Sequence, residues 1–276
     1  RSWVIVRALK YYLMAEGNDI LQIRKGEEQI ARGEFVDAEE FFAEVLHLLA
    51  GSSEIGRDRL RQHAGLARSS QGGFETGDPR FRQIALTHAD NTMKHHFRPD
   101  NSSYHVILYD VDGKVLAKKQ HQGYQDESTW TRGHAWAMYG YVEMYRNTKD
   151  KKYLDFAQKI SDFYLNHPNM PADKIPYWDY SKPGEERDAS AGAIASSALF
   201  ELAKYSKGKQ KAEYLSNAIK MLETLSSPAF KAKIGENNHF ILMHSTGHKP
   251  GNSEIDVPLV YADYYYLEGL LRYEAL

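Results

Sequence analysis

Apolar residues recur at helical spacing through most of the chain. In residues 77–97 they return every three or four positions, and Asp78 followed by Pro79 is typical of a helix start. Residues 148–168 and 209–228 follow the same plan. Each segment has one apolar face and one charged face, which predicts three amphipathic helices that pack on a core by one side.

These segments share a finer pattern, because each carries an aromatic residue four positions before an alanine. The pairs are Phe81 and Ala85, Tyr153 and Ala157, and Tyr214 and Ala218. Alternating with them are residues 128–148, 188–206 and 257–275, which are richer in alanine and glycine and less clearly amphipathic. We expect this second group to be buried on more than one side. Alternating outer and inner helices predict a helical toroid or solenoid.

Residues 104–120 break the helical pattern. They carry β-branched and aromatic residues on both sides of Asp112 and Gly113, a dipeptide typical of a β-hairpin turn. The same stretch, DVDG, lacks the rest of the ligand series of a calcium loop. We therefore expect one β-hairpin inserted among the helices.

Residues 1–73 differ in composition from the rest of the chain. Residues 23–51 are charged and helix-prone with a narrow apolar stripe, and residues 52–74 are polar and rich in glycine and serine. Neither stretch contains the aromatic–alanine pair. We predict a boundary near Gly72–Gly73, which separates an unassigned helical and linker segment from residues 74–276.

Composition narrows the range of functions. The formal net charge of −2 gives no general attraction to nucleic acid or acidic membranes, and no apolar run is long enough to span a bilayer. The chain has no cysteine, which excludes disulfides and thiolate metal sites. Its first residues show no secretory signal, and the sequence leaves the compartment open.

Aromatic residues make up 12% of the chain, and 19 of them are tyrosine. A tyrosine ring has an apolar face and a polar tip, so such rings suit a partly wet cleft that stacks on sugar. Large contacts between helices account for the same composition. Composition alone favours these contacts over the cleft.

Potential chemistry is concentrated in residues 121–136, HQGYQDESTWTRGHAW. If a helix starts near Ser128, Arg132 and Trp136 lie on one face close to its N-terminus. Such a site can bind a carboxylated sugar ring, because the guanidinium can donate two hydrogen bonds to the carboxylate and the indole can stack on the ring. In the alternative, Asp126 caps the helix, the arginine pairs with a nearby acid, and the tryptophans belong to the core. The residues alone leave both interpretations open.

Two other loops place aromatics and carboxylates just before an inner-type helix, in residues 176–192 and 244–268. Such loops converge on one mouth in a helical toroid, which predicts a cleft there. Its predicted lining is Tyr177, Trp178, His248, Tyr261 and Tyr264. For Asp188 and Asp256 we favour a place at the helix N-cap, or in the turn just before it, over a role in chemistry. The sequence has no phosphate-binding glycine loop, no G-x-S-x-G and no H-E-x-x-H, so we expect neither a cofactor nor a metal.

Three motifs, in order along the chain, closely resemble the unsaturated glucuronyl hydrolases, glycoside hydrolase family 88. They are residues 121–141 (HQGYQDESTWTRGHAWAMYGY), 176–202 (PYWDYSKPGEERDASAGAIASSALFEL) and 247–273 (GHKPGNSEIDVPLVYADYYYLEGLLRY). The resemblance begins near residue 75. It implies an all-α fold, the (α/α)6 toroid, present here as an incomplete C-terminal part with the β-hairpin as an insertion.

The resemblance also implies a reaction. These enzymes act on oligosaccharides left by polysaccharide lyases, whose terminal uronic acid carries a C4–C5 double bond. A carboxylic acid protonates the vinyl ether at C4, water adds at C5, and the hemiketal opens to release the rest of the sugar chain. Such an acid needs a raised pKa, from burial or from a second carboxylate.

Five residues match substrate-contacting positions of the family: His105, His121, Gln122, Arg132 and Trp136. His134 departs from the family pattern, because glutamine is common there. We expect this change to adjust packing more than reaction type.

The family's two aspartates, one of them the proton donor, come before the Gly77-Asp78-Pro79 segment, and no aspartate here stands in a matching context. Asp58 is the nearest, but its surroundings differ, so the catalytic residues stay unassigned. The chain is by family a hydrolase, yet we expect little or no turnover from it. A non-catalytic carbohydrate-binding or interaction protein is the rival.

For partners, we expect an unsaturated uronic-acid oligosaccharide and neither nucleic acid nor a membrane. An incomplete toroid leaves apolar helix faces exposed, so we also expect self-association.

Overall fold

The computed structural model describes residues 79–276, with side chains from Arg82 onward. This part of the chain forms six α-helices and a two-stranded antiparallel sheet. In order these are α1 (Pro79–His95), β1 (Val106–Tyr109), β2 (Val115–Lys119), α2 (Thr131–Thr148), α3 (Lys151–Asn166), α4 (Ala189–Tyr205), α5 (Gly208–Ser226) and α6 (Val260–Glu274). Short 3-10 helices at Asn237–His239 and Lys249–Gly251 precede α6.

Some expectations fall outside this range. The predicted segment 1–73, its boundary at Gly72–Gly73 and Asp58 all lie outside the described residues. Of the helices that are described, none is both long and apolar enough to cross a membrane.

The helices form two layers, and the predicted alternation is confirmed. α4 packs against α2 on one side and α6 on the other, so these three are neighbours in an inner layer. α3 packs on α2, and α5 packs on α4, as the outer members of two helical hairpins. α1 also contacts α2, where the Tyr141 hydroxyl donates to the carbonyl of Ala89 at 2.7 Å.

Small side chains explain why α4, the middle helix of the inner layer, is buried on several sides. Every residue of α4 from Ala189 to Ala203 is buried, and most of them are alanine, glycine or serine. Such residues let neighbouring backbones approach closely on every face. The outer helix α5 instead buries one stripe, formed by Tyr214, Ala218, Met221, Leu222 and Leu225. The expected burial on more than one side is wrong for α6, whose buried residues are Ala262, Tyr266 and Gly269.

The aromatic–alanine pairs mark a contact that repeats along the outer layer. All three alanines are fully buried. The Tyr153 hydroxyl of α3 donates to Asp90 of α1 at 2.9 Å, and the Tyr214 hydroxyl of α5 donates to Asp162 of α3 at 2.7 Å. Each aspartate lies five positions after the alanine of its own helix. One tyrosine–carboxylate contact therefore joins each successive pair of these outer helices.

The predicted β-hairpin is confirmed. β1 pairs with β2 from Val106 opposite Lys119 to a bulge near Tyr109. The Asp110 carboxylate accepts backbone N–H groups from the turn, and Gly113 adopts a φ of +83° that other residues rarely take. The acidic residues of this turn therefore organise the backbone.

Two helices begin later than the sequence suggested. α2 begins at Thr131 and not near Ser128, because Trp130 is extended and forms a β-bridge with Asp179. α6 begins at Val260, because the residues before it are extended and pair with the preceding loop. In both places a long-range backbone contact overrides the local helical pattern.

His134 packs between α2, α3 and the loop that leads into the hairpin. It has no exposed surface, and its ring nitrogens lie 2.9 Å from the carbonyl of Ile160 and 3.2 Å from the hydroxyl of Ser103. Burial lowers the pKa of His134 to about 4. This neutral imidazole has a structural role, in line with the expectation that it adjusts packing.

We predict that His134→Gln makes the protein less sensitive to acid. The folded state keeps His134 neutral down to about pH 4, whereas a histidine in an unfolded chain takes up a proton near pH 6.5. The wild type therefore loses stability as the pH falls between these values, by about 3 kcal/mol. Glutamine removes this proton uptake.

Urea unfolding at about pH 7 and about pH 4.5 measures the difference. His239→Gln, at an exposed position between α5 and α6, is the control and should keep the acid sensitivity of the wild type. Equal losses of stability in wild type and His134→Gln would contradict the prediction.

Candidate substrate site

Three loops meet where the inner helices α2, α4 and α6 begin. The loop before α2 joins the loop before α4 through the β-bridge between Trp130 and Asp179. The loop before α6 joins them too, because the carbonyl of His244 accepts the backbone N–H of Ala189 at 2.9 Å. The loops that the sequence placed around one mouth therefore lie in contact.

His105 orders the loop before α2. Its Nδ1 accepts the backbone N–H of Gln122 at 3.1 Å and that of His121 at 3.3 Å. A ring nitrogen that accepts hydrogen bonds carries no proton, so the neutral ring has its proton on Nε2. The ring centre lies 4.5 Å from that of Trp130.

Arg132 is deeply enclosed, with 2% of its surface exposed. Nη1 donates to Asp188 at 2.8 Å and to the carbonyl of Thr246 at 2.5 Å, and Nη2 donates to the carbonyl of Gly247 at 2.6 Å. The sequence left open whether Arg132 pairs with a nearby acid. In the structure it does, and the acid is Asp188. The guanidinium is tied to both neighbouring loops.

Aromatic rings surround this guanidinium. Its carbon lies 4.6 Å from the ring centre of Trp130 and 5.5 Å from that of Tyr261. The half-buried Trp136 contacts Tyr261 and Tyr265, with ring centres 6.2 and 5.0 Å apart. Sequence reasoning missed Trp130, because a helix starting near Ser128 would place it inside the first turn. As the N-cap residue of α2, it turns its indole toward the mouth.

We call residues 244–257, the loop before α6, the rim loop. Gly247 holds this loop in place. Its carbonyl accepts hydrogen bonds from Arg132 and, at 3.0 Å, from Nε2 of Gln122. A Cβ at this position would lie 2.2 Å from a carboxylate oxygen of Glu254. A larger residue would therefore displace the rim loop from both donors.

His248 ties the rim loop to the loop before α2. Its Nε2 donates to the carbonyl of His121 at 3.0 Å, and the two rings lie 4.3 Å apart. The structure thus brings all five residues taken from the resemblance into one connected set: His105, His121, Gln122, Arg132 and Trp136.

A small pocket of about 10 Å³ lies beside Trp130. It is lined by Thr92, His96, Phe97, Ser103, Tyr104, His105, Trp130, Gly133, Trp136 and Ala137. Its walls are largely aromatic, and its volume is about that of one water molecule.

The other predicted lining residues are divided. His248 and Tyr261 contact the connected set, whereas Trp178 is buried and donates to Glu185 through its indole N–H. Tyr177 lies against Arg187. Tyr264 is 59% exposed on the face of α6 opposite Ala262 and Tyr266. None of the five predicted residues lines the pocket beside Trp130.

The two capping aspartates also differ. Asp188 caps α4, as favoured from the sequence, by accepting the N–H groups of Ser190 and Ala191. Asp256 lies in the turn before α6, where it pairs with His244 at 2.6 Å.

The carboxylates around the mouth are occupied. A hydrogen bond from Lys119 lowers the pKa of Asp126, which does not cap α2. A hydrogen bond from Lys249 lowers the pKa of Glu185 to about 2. Burial raises the pKa of Asp179, but its oxygens accept three hydrogen bonds, two from Tyr124 and Ser128 of the loop before α2 and one from Ser181 of its own loop. Within residues 79–276, no group of three or more histidine and carboxylate side chains is arranged to hold a metal ion.

We predict that Gly133→Ala displaces the Trp130 ring. An alanine Cβ would lie 2.5 Å from Cε3 of that indole, well inside contact distance. The free energy of unfolding should fall by about 1–3 kcal/mol, and the tryptophan emission should change.

Gly192→Ala is the matched control, because it also lies in the first turn of an inner helix. Its Cβ would meet the flexible Cδ1 of Ile175 at 2.6 Å, so the tryptophan emission should stay as in the wild type. Unchanged emission in Gly133→Ala would mean that Trp130 lies elsewhere.

Comparison with known proteins gives a consistent set of relatives, although no protein-family model matches the sequence. The unsaturated glucuronyl hydrolase of Formosa agariphila is 50% identical over 205 residues, which cover 73% of this chain and 50% of that protein. That of Bacillus sp. (strain GL1) is 34% identical, covering 73% and 54%. The unsaturated chondroitin disaccharide hydrolase of Streptococcus agalactiae is 32% identical, covering 72% and 51%.

Solved structures agree with these relatives. An unsaturated glucuronyl hydrolase specific for heparin matches with a TM-score of 0.74 at 50% identity, over 76% of this chain and 57% of that one. The Bacillus sp. GL1 enzyme matches with a TM-score of 0.71 at 31% identity, over 76% and 56%. Both have the α/α toroid, which confirms the predicted fold class. The chain spans about half the length of the curated relatives it matches. Matched over 73% of its own length, the chain belongs to the unsaturated glucuronyl hydrolase family.

Proposed function

We propose that residues 74–276 form the uronate-binding part of a site that acts on oligosaccharides ending in a 4,5-unsaturated uronic acid. The observation that carries this proposal is the convergence of Arg132, Trp130 and His105 beneath three loops. The relatives support it by name, as unsaturated glucuronyl and unsaturated chondroitin disaccharide hydrolases. One related crystal structure, of a Streptococcus agalactiae variant, is a complex with dGlcA-GalNAc6S.

The chemistry of the mouth favours an acidic sugar over a neutral one. α2, α4 and α6 all begin there, and helix N-termini attract negative charge. Arg132, paired with Asp188, holds its guanidinium next to the indole of Trp130. The half-buried Trp136 supplies a ring face on which a sugar stacks. A uronate residue has both the carboxylate and the ring face that this combination requires.

The reaction that we propose is hydration of the vinyl ether. An acid delivers a proton to C4, water adds at C5, and the hemiketal opens to release the rest of the sugar chain. This route needs a proton donor, but no covalent sugar–enzyme intermediate.

The described carboxylates at the mouth are not suited to act as the proton donor. Asp126 and Glu185 are held ionised by lysines. Burial raises the pKa of Asp179, but this residue has no exposed surface and its carboxylate accepts three hydrogen bonds. Asp188 is bound on both oxygens, by the start of α4 and by Arg132. We therefore propose that the donor comes from outside residues 79–276, and that this chain by itself binds substrate with little or no turnover.

A non-catalytic carbohydrate-binding protein is the second candidate. The same observation favours it, because a mouth with occupied carboxylates can hold an acidic sugar without protonating it. The two candidates share the binding step and differ in whether the bound sugar then reacts.

Calorimetry with a 4,5-unsaturated glucuronyl disaccharide tests the binding, and the ultraviolet absorbance of its double bond tests the turnover. We expect binding with little or no loss of absorbance. Robust turnover would contradict the missing donor, and a lack of binding would contradict the uronate site itself.

Two variants show whether the binding occurs at this mouth. Trp136→Ala removes a stacking face and should weaken the affinity about three- to tenfold. Tyr264→Ala removes a ring on the outward face of α6 and should leave the affinity unchanged.

We also propose that the protein self-associates through α6. Val260, Tyr264 and Leu271 are 51, 59 and 65% exposed and follow one another on one face of this helix. The opposite face, with Ala262 and Tyr266, is buried in the inner layer. A helix that is apolar on two faces gains by packing against a second partner, here another copy of the chain.

Light scattering over a range of concentrations measures this association. The average mass should rise with concentration in the wild type and stay constant in Leu271→Glu. A wild type that remains monomeric at every concentration would contradict the proposal.

A further inference from the structure

Asp188 uses its two carboxylate oxygens for different purposes. Oδ1 accepts the backbone N–H of Ser190 at 3.1 Å and that of Ala191 at 3.4 Å, and it also accepts the hydroxyl of Ser190. Oδ2 accepts Nη1 of Arg132 at 2.8 Å. One side chain therefore caps α4 and holds a residue of its inner neighbour α2.

Capping alone does not require a carboxylate at this position. Asparagine and serine cap helices about as well as aspartate, and a charge without exposed surface is costly unless it is paired. Asp150 caps α3 in the same way, but from an exposed position. Asp188 has no exposed surface, so its negative charge is explained by the ion pair with Arg132.

The surroundings of the guanidinium show what this charge does. The other acceptors described around it are the carbonyls of Thr246 and Gly247 and, at 3.5 Å, the hydroxyl of Ser190. The two carbonyls belong to the rim loop, whereas Asp188 is held by the first turn of a buried helix. The firmest constraint on the direction of Arg132 therefore comes from α4.

We infer that Asp188 is a positioning residue for uronate binding, which acts by fixing the guanidinium of Arg132 beside the mouth. This inference rests on the function proposed above. Two other roles make different predictions. If Asp188 only masks the charge of Arg132, its neutralisation tightens uronate binding. If its role is only structural, stability falls while carboxylate recognition stays the same.

The test is Asp188→Asn in the full chain, which keeps the size and the helix cap but removes the charge. Calorimetry compares a 4,5-unsaturated chondroitin disaccharide with its uronate methyl ester, which has no carboxylate charge. The wild type should prefer the acid. In Asp188→Asn, the affinity for the acid should fall about ten- to a hundredfold, with little change for the ester.

Asp150→Asn is the matched control, because it neutralises another helix cap far from the mouth. It should keep the wild-type preference for the acid. Should Asp188→Asn fail to fold, Ser190→Ala takes its place, because it removes the hydroxyl that holds Oδ1 without leaving a charge unpaired. Its preference for the acid should fall about threefold.

The outcomes separate this inference from the proposed function. A wild type that binds neither ligand overturns the function, and the inference with it. A wild type that prefers the acid, together with variants that keep this preference in full, overturns the positioning role alone. Tighter binding of the acid by Asp188→Asn overturns it in favour of charge masking.

Discussion

The buried ion pair between Arg132 and Asp188 sets the geometry of the mouth. Neither residue has more than 2% of its surface exposed, so loss of one partner would leave a buried charge uncompensated. Such a loss is far more destabilising than the loss of an exposed pair. Because Arg132 also donates to the carbonyls of Thr246 and Gly247, the same pair holds the rim loop against the inner helices. The three loops therefore keep one arrangement before any ligand arrives, which is what precise recognition requires.

The outer layer depends on a contact of another kind, and that contact explains the sequence repeat. A tyrosine at the start of each of two outer helices reaches back to an aspartate of the outer helix before it. The tyrosine, the alanine four positions later and the acid five positions after that must keep their spacing for this contact to form. α5 carries Glu223 at the equivalent place, where it is exposed. The repeated tyrosine, alanine and acid therefore mark the contact between neighbouring outer helices. α5 keeps the same three positions, although no described helix follows it in the outer layer.

Local signals made the fold predictable, whereas the site depends on contacts between distant residues. Helical periodicity and the Asp112–Gly113 turn act within a few residues, so the two layers and the hairpin could be read from the sequence. The partners of Arg132 lie 56 and 114 positions away, and no local pattern specifies them. The start of α2 is set by the bridge from Trp130 to Asp179. The predicted helix began three residues too early and placed Trp130 inside its first turn. Helical periodicity therefore pointed to Trp136 and missed Trp130.

The common direction of the inner helices gives their two ends opposite chemistry. Their N-termini meet at the mouth, where the helix dipoles favour the carboxylate of a uronate. Their C-terminal halves meet at the other end, where Arg146 of α2 and Arg272 of α6 both pair with Glu201 of α4. Arginine suits this end for the same electrostatic reason. Glu143 lies beside these arginines, and burial raises its pKa to about 7. A network of ion pairs, in which the two arginines contact Glu143, Glu201 and Glu268, therefore joins the helices where they end. At the mouth Asp188 already caps α4, so the starts of α2 and α6, which have no side-chain cap, are the ones left to attract an anion.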